Sequence, residues 1–219
     1  MSTSDQEISF RNGREELVSG NLRHGSEQSH SAPLGLTSWG EFGTLQAIIL
    51  SDSARGNLRW SHWGRGKSGV QAVFEFAVPQ LASHYRVDYC CVRKTEGPDL
   101  DHPYIRRDDK ANRYTGTPAY HGTASIDPNS GAIQRITLQA DFRKADPVSR
   151  NDVSVQFGEV KIGDRSYVCP IQSVAISSTL VGSDISSAVW EVLRINDVRF
   201  MNYHRFGSTM KVLPGFSQP

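Results

Sequence analysis

Little in this sequence announces a chemistry. Three cysteines, Cys90, Cys91 and Cys169, are too few for a disulfide scaffold and lack the C-x-x-C spacing of a zinc site. Cys90 and Cys91 are neighbours in an extended run, so their side chains point to opposite faces and only one can meet Cys169. A bridge and buried free thiols are the two readings. Neither sign of charge is in excess: 24 Lys and Arg against 23 Asp and Glu leave +1. That balance supplies no field for a polyanion and argues against a nucleic-acid partner. No run approaches the ~20 apolar residues of a membrane-crossing helix. The opening residues, MSTSDQEISF, lack the basic segment and apolar run of a secretory signal, so the chain as written reads as cytoplasmic. H-E-x-x-H, G-x-S-x-G and clustered carboxylates are all missing, and no cofactor or metal is expected.

One stretch imitates a motif. WSHWGRGKSG, residues 60–69, contains the GKS that ends a phosphate-binding loop. Such a loop needs G-x-x-x-x-G-K-S/T between a strand and a helix, so that backbone N–H groups at the helix start hold the phosphate. Here Ser61 stands where the first glycine belongs, and the residues after Ser68 alternate as a strand. A glycine-rich connection between two strands is the reading.

What is present is two-residue alternation. In GVQAVFEFAV, Val70, Ala72, Phe74, Phe76 and Val78 share one face. SHYRVDYCCV repeats the pattern and is expected to pair with it as a hairpin. In AYHGTASIDPNSGAIQRITLQADF, two such runs flank DPNSG, where Pro128 and Gly131 favour a turn. DVSVQFGEVKIGDRSYVCPIQSVAIS folds back at Gly163 and Asp164, and VRFMNYHRF closes the series. With ISF and REELV, nine to eleven strands are expected.

One segment differs. From Ser38, SWGEFGTLQAIILSDSARGNL sets Phe42, Leu45, Ile48 and Ile49 at helical spacing after a capping residue, with Gly56 as a stop. A second helical turn is expected near 185–192. Segments 19–33 and 94–118 are polar and charged, and read as mobile connections. The expected architecture is therefore a single mainly β domain of the α+β class, spanning 1–219. It would be a strongly curved antiparallel sheet or half-barrel with one amphipathic helix packed on it.

Candidate chemistry is thin. His24 and His30 lie in the polar segment, whereas His62, His84, His121 and His204 lie in strand-like runs. A hydrolase would use His62, His84 or His121 with a carboxylate, and would need two of those histidines to converge. The aromatics concentrate on the helix and the strands after it. Phe42, Leu45, Ile49, Trp60, Trp63 and Phe74 are either core or the wall of an apolar pocket between helix and sheet.

Taken together, LRWSHW, FEFAVPQLASHYRVDYCCV, PAYHGTASIDPNSGAIQRITLQADF, VSVQFGEVKIGDRSYVCPIQSVAIS and VRFMNYHRFGS resemble a group of uncharacterised proteins found largely in Acidobacteria. The resemblance spans most of residues 58–208. It departs from the group's pattern by one extra residue in GTASIDPNSG and by Phe157 in place of a tyrosine. More distantly, the chain is similar to the half-barrel of periplasmic lipoprotein carriers and related lipid-binding proteins. The resemblance implies a bacterial envelope protein, periplasmic or secreted if an N-terminal portion is missing. It would be non-enzymatic, with a lipid or acyl chain as ligand. A structural or protein-interaction module without a pocket is the alternative of another class.

Overall fold

The computed structural model describes residues 5–11, 14–17, 40–54, 57–66, 69–89, 94–95, 105–106, 114–182 and 189–205. Two short strands open the chain, β1 (Ile8–Arg11) and β2 (Arg14–Leu17), followed by the helix α1 (Thr44–Ser53). Next come β3 (Leu58–Gly66), β4 (Gly69–Val78), β5 (Val87–Tyr89), β6 (Lys94–Thr95), β7 (Ile105–Arg106) and β8 (Tyr114–Gly116). The series ends with β9 (Ala119–Ile126), β10 (Ile133–Asp141), β11 (Val148–Ile162), β12 (Arg165–Gly182) and β13 (Val189–Arg199). Seven strands form one antiparallel sheet in the order β13-β12-β11-β10-β9-β4-β3. Among the described residues the sheet is open, not closed into a barrel, and carries one α-helix. This is the expected curved α+β architecture.

Turn chemistry sets the register. Between β9 and β10, Asp127 Oδ1 accepts from the Asn129 backbone at 2.8 Å and Gly131 takes φ 72°. Between β11 and β12, Gly163 takes φ 61°. Both turns fall where the sequence placed them. β4 starts at Gly69, so a strand does follow the glycine-rich stretch, as the rejection of a phosphate loop requires.

Three expectations are corrected. SHYRVDYCCV does not pair with β4. Pro79 and a 3-10 turn at Gln80–Ala82 lead the chain off the sheet, β5 pairs with β8, and β9 takes the β4 edge. Residues 189–192 are strand, not helix. Apolar residues lie on both faces of β13, and this blurs its two-residue period into helix-like spacing. Strand structure ends at Arg199 instead of continuing through 198–206, with Asn202 at φ 56°. Segment 19–33 lies outside the described residues, as does most of 94–118.

Alternation assigns the two faces of the sheet. One face buries Phe76, Val78, Tyr120, Ala124, Ile136, Leu138, Val153, Val155 and Ala175, and α1 adds Leu45 and Ile49. Gly122 on this face is a requirement of packing. A Cβ there would lie 1.9 Å from the Thr137 carbonyl oxygen and 2.7 Å from the Phe76 ring.

The helix is held at both ends by distant residues. Its start is not the expected local cap: Ser38 lies outside the described residues, and the N-cap position is Gly43, which has no side chain to offer. Buried Glu15 on β2 does the capping, accepting from the backbone N–H of Gly40 at 3.0 Å and of Gly43 at 2.9 Å. At the other end Asp52, 3% exposed, accepts from the Tyr120 hydroxyl at 2.8 Å and the His84 backbone at 3.0 Å. Its second oxygen lies 2.6 Å from His84 Nδ1. Burial pushes the Asp52 pKa up, but these hydrogen bonds outweigh it and hold the carboxyl below its ordinary value. The same burial, with Asp52 alongside, raises the Tyr120 phenol.

Candidate functional site: the hollow face of the sheet

The face opposite α1 is the hollow one. Residues of β3, β4, β9, β10, β11 and β12 line a single trough of about 1020 Å³. A flat sheet encloses no such volume over its middle, so this lining marks the inside of the curve.

Register sorts the trough into transverse rows, because directly paired residues of neighbouring strands share a face. One row, from β9 to β13, reads Ser125, Arg135, Gln156, Gln172, Arg199. The next reads Thr123, Thr137, Ser154, Val174, Asp197, and a third His121, Gln139, Asp152, Ile176, Ile195. Polar side chains thus fill the β9–β11 side of the hollow. Toward β13 the surface turns apolar: Val174 and Ile176 are followed by Ile195, 63% exposed, and by Leu193, 55% exposed, which pairs with Ser178.

Most of the charge in the trough is locally neutralised. Arg59 reaches Glu75 at 2.9 Å, and hydrogen bonds from Ser61 and Arg59 hold the Glu75 carboxyl below its usual range. Arg150 reaches Asp152 at 2.5 Å, whereas Asp197 accepts from the neutral Gln172 amide at 2.8 Å, which leaves its charge in place. Arg135 differs. It lines the trough, its Nε donates to Ser154 Oγ at 3.2 Å, and among the described residues it pairs with no carboxylate.

None of the six residues expected to contact an apolar ligand lines this trough. Leu45 and Ile49, 4% and 1% exposed, are packed into the core between α1 and the sheet. Phe42 is half-buried in an aromatic cluster with Phe10, Phe200 and Tyr203, at ring-centroid distances of 5.6–6.0 Å. Phe74, Trp60 and Trp63 share the α1 side of the sheet, because a bulge after Trp60 returns Trp63 to the same face. Phe74 is half-buried, whereas the two indoles at the open edge are 56% and 60% exposed. The structure brings Leu45 and Ile49 together in the core, sets Phe42 apart in its aromatic cluster, and keeps Trp60, Trp63 and Phe74 together on β3 and β4, where Trp60 pairs directly with Phe74.

His62, His84 and His121 do not converge. His84 pairs with Asp52 beside the helix, and His121 lies in the trough near Gln139 and Asp141. His62 is on β3, with Nδ1 3.0 Å from the Ser61 hydroxyl. That hydroxyl donates to Glu75 at 2.7 Å, so His62 is not positioned to take its proton. Cys169 is a free, half-buried thiol whose pKa burial raises. Cys90 and Cys91 lie outside the described residues.

Sequence reasoning missed Arg135, Gln156, Gln172, Val174, Ile176 and Ile195. They are the residues between the buried positions of β10–β13, and alternation marks them only as the other face. No known protein family, curated protein or solved structure matches the chain.

Proposed function

We propose that this protein is a non-enzymatic binding protein that holds an amphiphile, a lipid or acyl chain with a polar head, on the hollow face of its sheet. One observation carries the reading. A single trough is lined by a hydrogen-bonding floor over β9–β11 and by Val174 and Ile176 of β12, and the exposed Ile195 and Leu193 of β13 continue the apolar stripe on the same face. Ligand sites commonly enclose about 300–1,000 Å³, and a trough of about 1020 Å³ stands at the large end of that range. The ligand class is the one expected from the sequence; the surface is the opposite face from the one expected. The resemblance alone supports placing the protein in a bacterial envelope.

Magnitudes define what the site must do. Each buried methylene contributes about 0.8 kcal/mol, so a ten-carbon chain half covered by an open stripe gains about 4 kcal/mol, only a millimolar affinity. Tighter binding requires the polar floor to hold the head. Isothermal titration with 1-decanoylglycerol tests the reading: wild type should bind, and Ile176→Asp with Ile195→Asp should lose at least tenfold in affinity. If Trp60→Ser with Trp63→Ser abolishes binding while the isoleucine variants bind normally, the ligand sits on the other face.

A specific observation also favours the interaction-module reading. Among the described residues no strand pairs with the outer edge of β3, and Trp60 and Trp63 stand on that strand with their rings 6.4 Å apart. A strand-adding partner would cover both indoles. Size-exclusion chromatography with light scattering tests self-pairing, with Trp60→Ser and Trp63→Ser expected to return any dimer to monomer.

A further inference from the structure

We infer that the head group held in the hollow is anionic, of the phosphate or carboxylate class, and that its seat is the row Arg135, Gln156, Gln172, Arg199. This rests on the amphiphile reading above and adds the chemistry of the head.

The row lies on four adjacent strands, read directly from the register: Arg135 pairs with Gln156, Gln156 with Gln172, and Gln172 with Arg199. Neighbouring strands lie about 4.8 Å apart, so the two arginine Cα atoms are separated by about 14 Å. A guanidinium reaches roughly 6–7 Å from its Cα, so the two heads can close on one group lying over the glutamine amides between them. The row contains no carboxylate. Among the described residues neither Arg135 nor Arg199 forms an ion pair, whereas Arg59 and Arg150 on the same face each do. The acid nearest in register, Asp197, accepts from Gln172 Nε2. Gln156 makes no side-chain hydrogen bond among the described residues, and its amide is available to an oxyanion.

The apolar stripe fixes the orientation of the chain. Val174 on β12 is one row from Gln172, and Ile176 with Ile195 is two rows away along the strands. Alternate residues on one face of a strand are about 6.6 Å apart, so a head over Gln172 places the fourth to tenth carbons of a chain over Val174, Ile176 and Ile195. Guanidinium groups hold phosphate and carboxylate through paired N–H donors, which a neutral glycerol head cannot match.

The test compares three probes by isothermal titration: decyl phosphate, 1-decanoylglycerol and inorganic phosphate, with each amphiphile kept below its micelle concentration. Wild type should bind decyl phosphate about tenfold or more tighter than decanoylglycerol. Arg135→Gln with Arg199→Gln should abolish that preference, bringing the decyl phosphate affinity down to that of decanoylglycerol, while the thermal melt confirms the fold of a variant altered only at exposed positions. Equal wild-type affinities for the two amphiphiles would overturn the anionic seat and leave the amphiphile reading standing. Failure of both amphiphiles to bind would overturn both readings. Inorganic phosphate binding as tightly as decyl phosphate would overturn the amphiphile form, showing a site for free anions. A phosphate preference that survives the double variant would show that the row is not the seat.

Discussion

Asp52 is the residue on which the attachment of the helix turns. An acid in the last turn of a helix faces the negative end of the dipole, and a buried one also loses hydration; it is tolerated only because three donors converge on it. Asp52→Ala leaves the fully buried Tyr120 hydroxyl without its acceptor and should cost about 1–3 kcal/mol in urea unfolding at neutral pH. The folded-state pKa is depressed, so the contribution is present above the ordinary value of 3.8 and is lost as pH falls through the lower folded value. Asp52→Asn should flatten that acid limb of the stability profile; an unchanged limb would assign the acid sensitivity to other carboxylates. Gly122 carries the second prediction at this scale. Gly122→Ala drives a methyl into the Thr137 carbonyl and the Phe76 ring and should destabilise by about 1–3 kcal/mol, whereas Gly131→Ala, with open space around its Cβ, is strained only by its positive φ. Equal losses at the two sites would remove the packing argument for Gly122.

At the scale of elements, α1 depends on a cap from far along the chain. Glu15→Gln keeps the shape but removes the charge that meets the helix N-terminus, and Glu15→Ala removes the acceptor as well; losses of about 0.5 and 1–2 kcal/mol are expected. Hydrogen exchange at Gly43 and Thr44 should quicken in the alanine variant, and unchanged protection there would show that the cap is incidental. This element also shows where sequence reasoning reaches its limit. Leu45 and Ile49 at helical spacing marked α1 and its buried face, but a cap 28 residues away leaves no local signal. Strands with one buried face, β4, β9, β10 and β11, were legible because burial enforces strict alternation. β5 and β13 were misassigned for opposite reasons. The alternation of β5 was real but its partner lay beyond a long insertion, and the two-faced apolar content of β13 hid its period. The same two-faced content makes the apolar rim of the hollow.

At the scale of the whole molecule, one property organises the account: the sheet is filled on one side and hollow on the other. Core residues could be read from the sequence because apolar side chains at alternate positions must find cover. The candidate site could not, since a polar residue facing a hollow and one facing bulk water obey the same pattern. Only curvature and register distinguish them, and both depend on pairings between strands far apart in sequence. The attraction of the aromatics followed from this. Trp60 and Trp63 are conspicuous in sequence but stand on an edge, whereas Ile176 and Ile195 are inconspicuous and stand side by side on the hollow face. The most direct measurement is an amide chemical-shift titration of isotopically labelled protein with decyl phosphate. Shifts concentrated at Thr137, Ser154, Gln172, Val174 and Ile176 are predicted, with Leu45, Ile49 and Trp60 unmoved. Shifts confined to α1 and β3, with the β10–β12 residues silent, would contradict the claim that the hollow face is where this protein binds.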